Sequence, residues 1–371
     1  MLVLYSLYMK KIFLTFITCL LVNNICAMAY ARRIAGVTEE EVAAAMEQRK
    51  QCPEGLLKNL TLKLHDLLHD SIRKLSPHDN DLIYYTTKYY LDCGADPNRI
   101  IRKEWGVFPL TWAVEIRNGY KTVALLLAYG ADPNKEGHNP HFGAPIADAA
   151  DLEITKLLVR AGASLNATDP WSGTTLLMKF CGFPQIYNFD NFCNLDAVVW
   201  LLSHGADPNI GSRIDYGDGL VFAINLAISH GSLFYVIALL QIGARLDIGI
   251  YQQQHPIECA YRLWQNGSKR PESGDYETRR GPRDPIAQAQ YEFLIAINNH
   301  KLDPHIIYKI SEYEAMGISH DSAELIQKAT QEVNEAFAQC RLDDWQFEHQ
   351  GQSLSKLILK RELGYTRQGK R

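Results

Sequence analysis

The pentapeptide Gly-Ala-Asp-Pro-Asn occurs three times unchanged, at Gly94–Asn98, Gly130–Asn134 and Gly205–Asn209. Looser copies stand at Gly162-Ala163-Ser164-Leu165-Asn166 and Gly243-Ala244-Arg245-Leu246-Asp247. Successive glycines are 36, 32, 43 and 38 residues apart. A period in this range builds a solenoid, because each unit is one small supersecondary element that buries its apolar face only against its neighbours. Such a chain favours an extended binding surface over an enclosed active site.

The residues before each glycine say what the unit is. The fourth and third positions upstream are Tyr90-Leu91, Leu126-Leu127, Leu158-Val159, Leu201-Leu202 and Leu239-Leu240. An apolar pair one turn before a glycine suits a packed helix that ends in a left-handed residue. Further upstream, Phe222-Ala223-Ile224-Asn225-Leu226-Ala227 is followed by Gly231, Val236 and Leu239-Leu240. That spacing predicts two short antiparallel helices joined by a tight turn.

These segments resemble ankyrin repeats, whose pattern runs T-P-L-H-x-A, a glycine, V-x-x-L-L and G-A-D-x-N. The stretch 222–247 keeps the helix spacing in full. Phe108-Pro109-Leu110-Thr111-Trp112-Ala113 through Asn134 has one extra residue between its helices, and Ala144-Pro145-Ile146-Ala147-Asp148-Ala149 through Asn166 lacks three there. Thr175 to Phe180 opens a unit with an insertion, and Phe180 stands where the family has a small alanine. His255-Pro256-Ile257-Glu258-Cys259-Ala260 opens a sixth unit, whose second helix is expected from about Ile286 to Leu294-Ile295 with Asn298 in the glycine's place. The pattern's threonines and histidines, which tie neighbouring units together, are scarce here. The resemblance implies an all-α ankyrin-repeat solenoid of about six helix-turn-helix units over residues 80–303, with insertions at 181–193 and 263–284 and helical caps at both ends.

The flanks read as those caps. In 30–79, Thr38 and Glu41 form a capping box that opens a helix to about Lys50. A second helix, from Pro53 to Lys74, carries the stripe Leu57, Leu60, Leu64, Leu67 and Leu68. In 304–371, Asp321 and Glu324 open a helix in which Leu325, Ala329, Val333, Ala336, Phe337 and Cys340 share a face suited to docking on the last repeat. The end, Lys356 to Arg371, is a basic tail. At the other terminus, Lys10-Lys11, the uncharged apolar run Ile12–Val22 and the small-residue ends Ala27-Met28-Ala29 and Ala29-Tyr30-Ala31 predict a cleaved secretory signal over 1–29, with Met9 as an alternative start. A signal this short and lysine-led looks bacterial.

The formal charge of −4 and a pI near 6.3 leave no electrostatic footprint for nucleic acid. Downstream of residue 30 no apolar run demands a spanning helix. His65 and His69, one helical turn apart, have ligand-like spacing but no third ligand, and read as a solvated helix face; His138 and His141 in a loop carry less. The sequence shows no nucleophile elbow, phosphate-cradling loop or paired-cysteine zinc pattern, so no cofactor, metal or catalytic residue is expected. Cys93 and Cys259 read as small buried hydrophobes. Cys181 and Cys193 bracket an aromatic-rich insertion, and two readings stay open: separately buried thiols, or a disulfide stabilising the loop by about 3 kcal/mol.

In ankyrin arrays the loops between units project as fingers that form the recognition surface. Each finger here carries one aromatic: Trp105, Phe142, Trp171, Tyr216 and Tyr251. Exposed aromatics dominate interface energetics because they bury much area at little entropic cost. The expected protein is a monomeric, exported scaffold that binds a protein partner through its fingers and concave face, in the manner of a host-directed effector. The alternatives are a periplasmic stabiliser of a partner enzyme and a hydrolase with an unrecognised site.

Overall fold

The computed structural model describes residues 29, 31–74, 80–99, 106–116, 118–137, 143–149, 152–182, 195–213, 220–247, 255–266, 284–343, 348–349 and 352–353. These residues build α1 (Glu39–Gln51), α2 (Glu54–Lys74), α3 (Asn80–Asp92), α4 (Pro109–Ala113), α5 (Tyr120–Ala128), α6 (Leu152–Arg160), α7 (Leu176–Gly182), α8 (Leu195–Ser203), α9 (Ala223–Ser229), α10 (Leu233–Gln241), α11 (Pro256–Asn266), α12 (Pro285–Asn298), α13 (Ile310–Ala315) and α14 (His320–Asp343). A 3₁₀ turn covers Pro145–Asp148, and a two-residue ladder pairs Glu348–His349 with Gln352–Ser353. The fold class is that of an all-α ankyrin-type solenoid. Two compact units share the chain: residues 1–193 with 209–223 and 249–253, and residues 194–208 with 224–248 and 254–371.

The repeated glycines end the second helix of each repeat. All five are left-handed, with φ of +96° at Gly94, +86° at Gly130, +94° at Gly162 and Gly205, and +92° at Gly243. The following alanine donates its N–H, at 2.9 or 3.0 Å, to the carbonyl of the first residue of the apolar pair. The glycine donates its own N–H to the carbonyl of the second. This double closure satisfies carbonyls that a helix end leaves without intrahelical partners. The apolar pair therefore acts twice. Leu91, Leu126, Leu158, Leu201 and Leu239 are buried by side chain while their pairs cap by backbone.

The sixth repeat departs from expectation. Helix α12 runs through Asn298, and the left-handed residue is His300, with φ of +56°. Lys301 donates to Ala296 at 3.0 Å and His300 to Ile297 at 2.9 Å, so the capping pair is Ala296-Ile297 and not Leu294-Ile295. Asn298 stays helical because Phe293, Leu294 and Ala296 are all buried, and the helix extends until that face is complete. Leu302-Asp303-Pro304-His305 then repeats the Ala-Asp-Pro-Asn turn. His305 N–H meets the Asp303 carboxylate at 2.8 Å, as Asn98 N–H meets Asp96 and Asn134 N–H meets Asp132, each at 2.9 Å.

In the first unit, α2, α4, the 3₁₀ turn and α7 neighbour one another in succession, and so do α3, α5 and α6. The 32-residue spacing was expected to trim the turn between two helices; the loss falls on the first helix, reduced to the single turn Pro145–Asp148. The α1 capping box is formed, with Glu41 N–H on Thr38 at 3.1 Å and Thr38 N–H on the Glu41 carboxylate at 2.8 Å. Along α2 the buried stripe is Thr61, Leu64, His65 and Leu68, while Leu57, Leu60 and Leu67 are half-buried. His65 is therefore buried and His69 half-buried, and both are packed against a neighbour. Both rings meet the Trp112 indole edge-on, at centroid distances of 6.2 and 4.8 Å, and His65 Nε2 lies 2.6 Å from the Val107 carbonyl. The cause is Trp112, a large ring where the repeat pattern leaves the residue type open. Cys93 is half-buried, whereas Cys259 is buried as expected.

The asparagine that ends the pentapeptide ties neighbouring repeats together. Asn98 Nδ2 donates to the Gly130 carbonyl at 2.6 Å and its Oδ1 accepts from Asp132 N–H at 2.8 Å. One repeat on, Asn134 donates to the Gly162 carbonyl at 2.8 Å and accepts from Ser164 N–H at 2.9 Å. The last residue of the pentapeptide thus bonds the first and third residues of the next copy. Sequence periodicity becomes a ladder of bonds.

In the second unit α14 does more than cap the last repeat. It packs on α12, α10 and α8 alike. At about 1.5 Å per residue a helix of this length spans about 36 Å, enough to cross three helices spaced about 10 Å apart. Its buried face is Ser322, Ala323, Ile326, Ala329, Thr330, Val333, Ala336 and Phe337, with Leu325 half-exposed, so the stripe is rotated by one residue at its start. Polar groups fix the register. Gln241 Nε2, at the end of α10, reaches the Pro304 carbonyl at 2.7 Å and Asn334 Oδ1 at 2.9 Å. Glu292 accepts from Ser319 N–H at 2.8 Å and from its hydroxyl at 2.9 Å.

Candidate functional site

Of the five finger aromatics, Trp105, Phe142, Tyr216 and Tyr251 lie outside the described residues. Trp171 lies within them, and its side chain is 65% exposed. An exposed indole costs hydration free energy, and the loop around it is built to hold it out.

That loop is a tight hairpin closed by the Thr168–Thr175 bridge. The Asp169 carboxylate is buried inside it and accepts three bonds: Trp171 N–H at 2.9 Å, Ser172 N–H at 2.8 Å and the Ser172 hydroxyl at 3.1 Å. A short acidic side chain that bonds backbone two and three residues on is the local device of an Asx-type turn. Asp169 N–H and Gly173 N–H close the frame onto the Thr174 and Asp169 carbonyls at 2.9 and 2.7 Å. Gly173 has φ of +71°, a conformation a side chain there would strain. The next finger, closed by the Ser212–Val221 bridge, braces the first: Ser212 Oγ donates to the Ser172 carbonyl at 2.5 Å. Gly143 permits contact on the other side, where an added Cβ would stand 2.8 Å from Pro170. Trp171 is presented on a loop whose polar groups are spoken for. That lowers the ordering cost of binding.

The first helices of successive repeats carry a second polar feature. Lys179 Nζ lies 2.8 Å from the Asp148 carboxylate, with side-chain exposures of 7% and 11%. The two residues occupy the same pattern position in consecutive repeats. Glu115 lies nearby, and burial pushes its carboxyl up to about 7, with Asp148 adding to the rise and Lys179 opposing it. The group was not singled out from sequence. Its signal was Asp148 and Lys179 at matched repeat positions, where the pattern leaves the residue open. A carboxyl near neutrality can serve acid–base chemistry, but here the ammonium beside it is engaged by Asp148 and joins two repeats.

Cys181 is a buried free thiol at the end of α7, where desolvation raises its pKa, and Cys193 lies outside the described residues. Among the described residues no group of three or more His, Cys, Asp or Glu could hold a metal ion, and no helix is long and apolar enough to cross a membrane.

The ankyrin-repeat family model matches residues 105–138, the segment containing α4, α5 and the Gly130 turn. The chain carries an ankyrin repeat in this segment. The closing bonds at Gly94, Gly162, Gly205 and Gly243 extend the same geometry beyond the matched segment. No curated protein matches the chain. The ankyrin repeat is a protein-interaction scaffold, which fits a surface hairpin built around an exposed tryptophan.

Proposed function

We propose that this ankyrin-repeat protein is exported and binds a protein partner through its finger tips, with Trp171 as a central anchor. The observation that carries this reading is the pairing of exposure with rigidity: the indole is 65% exposed while Asp169, Ser172 and Ser212 fix the loop beneath it. Tryptophan on a pre-ordered support is the residue type most enriched among interface hot spots. Trp105, Phe142, Tyr216 and Tyr251 are proposed as further contacts on neighbouring fingers, and the lysine-led amino terminus as the export signal.

Affinity capture from the native organism, run with wild type and with Trp171→Ala, tests the binding reading. The variant loses the captured partner by at least about tenfold while its melting temperature is unchanged, because the side chain makes little core. Equal capture by the variant contradicts the reading. Fractionation locates the site of action: recovery from the medium or a host fits an effector, and recovery from the periplasm fits a stabiliser of a resident enzyme.

A further inference from the structure

The face of α3 turned away from its core carries a stripe of large apolar side chains. Ile83, Thr87 and Leu91 are buried, while Leu82, Tyr85 and Tyr89, at i, i+3 and i+7, are 60%, 66% and 62% exposed. A single exposed tyrosine needs no explanation; three large side chains in helical register form a seam. One border of the seam is acidic. Asp81 and Asp92 lie along it, and α1 contributes Glu41 through Lys88, whose ammonium sits 3.2 Å from Glu41 and 2.9 Å from Asp92. Three carboxylates thus stand against one ammonium.

We infer that this face of α3 is a docking surface for an amphipathic helix of a partner whose apolar stripe is bordered by lysine or arginine. The charge border decides between occupants. A second copy pairing antiparallel through α3 would lay the acidic border of one helix against the same border of the other, and like charges at that spacing repel. A basic border on the incoming helix meets the carboxylates instead, and leucines fill the spaces between Leu82, Tyr85 and Tyr89 as in helix-in-groove recognition. This surface is separate from the Trp171 finger and does not depend on it.

Isothermal titration of the full chain with synthetic amphipathic helices of roughly five turns tests the assignment. Three probes are used: leucine with lysine borders, leucine with glutamate borders, and the leucine–lysine composition in scrambled order. The lysine-bordered helix binds at least about tenfold more tightly than either control. Tyr85→Ser/Tyr89→Ser weakens it at least about tenfold with an unchanged melting temperature, and Trp171→Ala leaves it intact. Equal binding of the scrambled peptide reduces the effect to net charge and overturns the inference. So does undiminished binding to the double variant, or a loss caused by Trp171→Ala. A concentration-dependent dimer that the double variant abolishes assigns the face to self-association and overturns it as well.

Discussion

Neighbouring helices pack in succession in both units, and what is added to that packing differs. In the first, each repeat is tied to the next by its own bonds: Asn98 to Gly130 and Asp132, Asn134 to Gly162 and Ser164, and Lys179 to Asp148. In the second, α8, α10 and α12 also pack in succession, and one added helix, α14, reaches all three together. A nearest-neighbour series passes stability from repeat to repeat, so a defect stays local. A single long clasp makes three repeats share one fate. The same repeat pattern therefore yields a stepwise stack in one place and a cooperative block in another.

Substitutions separate the two arrangements, the largest effect coming from the clasp. Val333→Asp buries a charge at the centre of the α14 face and should cost about 4 kcal/mol or more, lowering the melting temperature of the second unit before the first. A single unshifted transition would break the comparison. Lys179→Met removes the cation from a buried pair and leaves Asp148 and Glu115 facing each other, a loss of about 3–5 kcal/mol by denaturant titration at pH 8. Lys179→Met combined with Asp148→Leu should recover most of it.

Glu115→Gln sharpens the same site through pH. The folded carboxyl titrates near 7 against 4.5 for the free group. Below pH 4.5 both states are protonated and no penalty exists; between 4.5 and 7 the unfolded chain loses its proton first, so stability falls as pH rises. Above 7 the loss reaches about 3 kcal/mol, which the glutamine variant removes, while at pH 4.5 variant and wild type should melt alike. A gain of equal size at both pH values would assign the effect to packing. Asn134→Ala is the smallest perturbation, about 1–2 kcal/mol for the two bonds lost. Its increase in hydrogen exchange should be confined to residues around Gly130 and Gly162.

The repeat ends were legible in sequence because a left-handed turn has a strong chemical signature: glycine, then a residue small enough to bury, then an aspartate that bonds its own backbone. The sixth end was not, since His300 replaces glycine and α12 overruns Asn298; Asp303-Pro304 was the signal that remained. Single-sequence periodicity placed α14 and most of its face, yet could not tell which helices it crosses, because that depends on length against the spacing of the stack. His65 and His69 looked polar-facing only while their partner, Trp112, was unknown. The tryptophan tip at 171 was visible as an aromatic in a finger. What the sequence did not disclose was the support, since Asp169, Ser172 and Ser212 converge only after two separate hairpins have formed.

Native-state hydrogen exchange of the wild-type chain tests the division of the molecule most directly. Amides of α8, α10, α12 and α14 should open with one shared free energy, distinct from the graded values along α4, α5 and α6. Protection in α8 and α10 that falls away stepwise from α12 would mean that α14 caps only the last repeat and that no clasp exists.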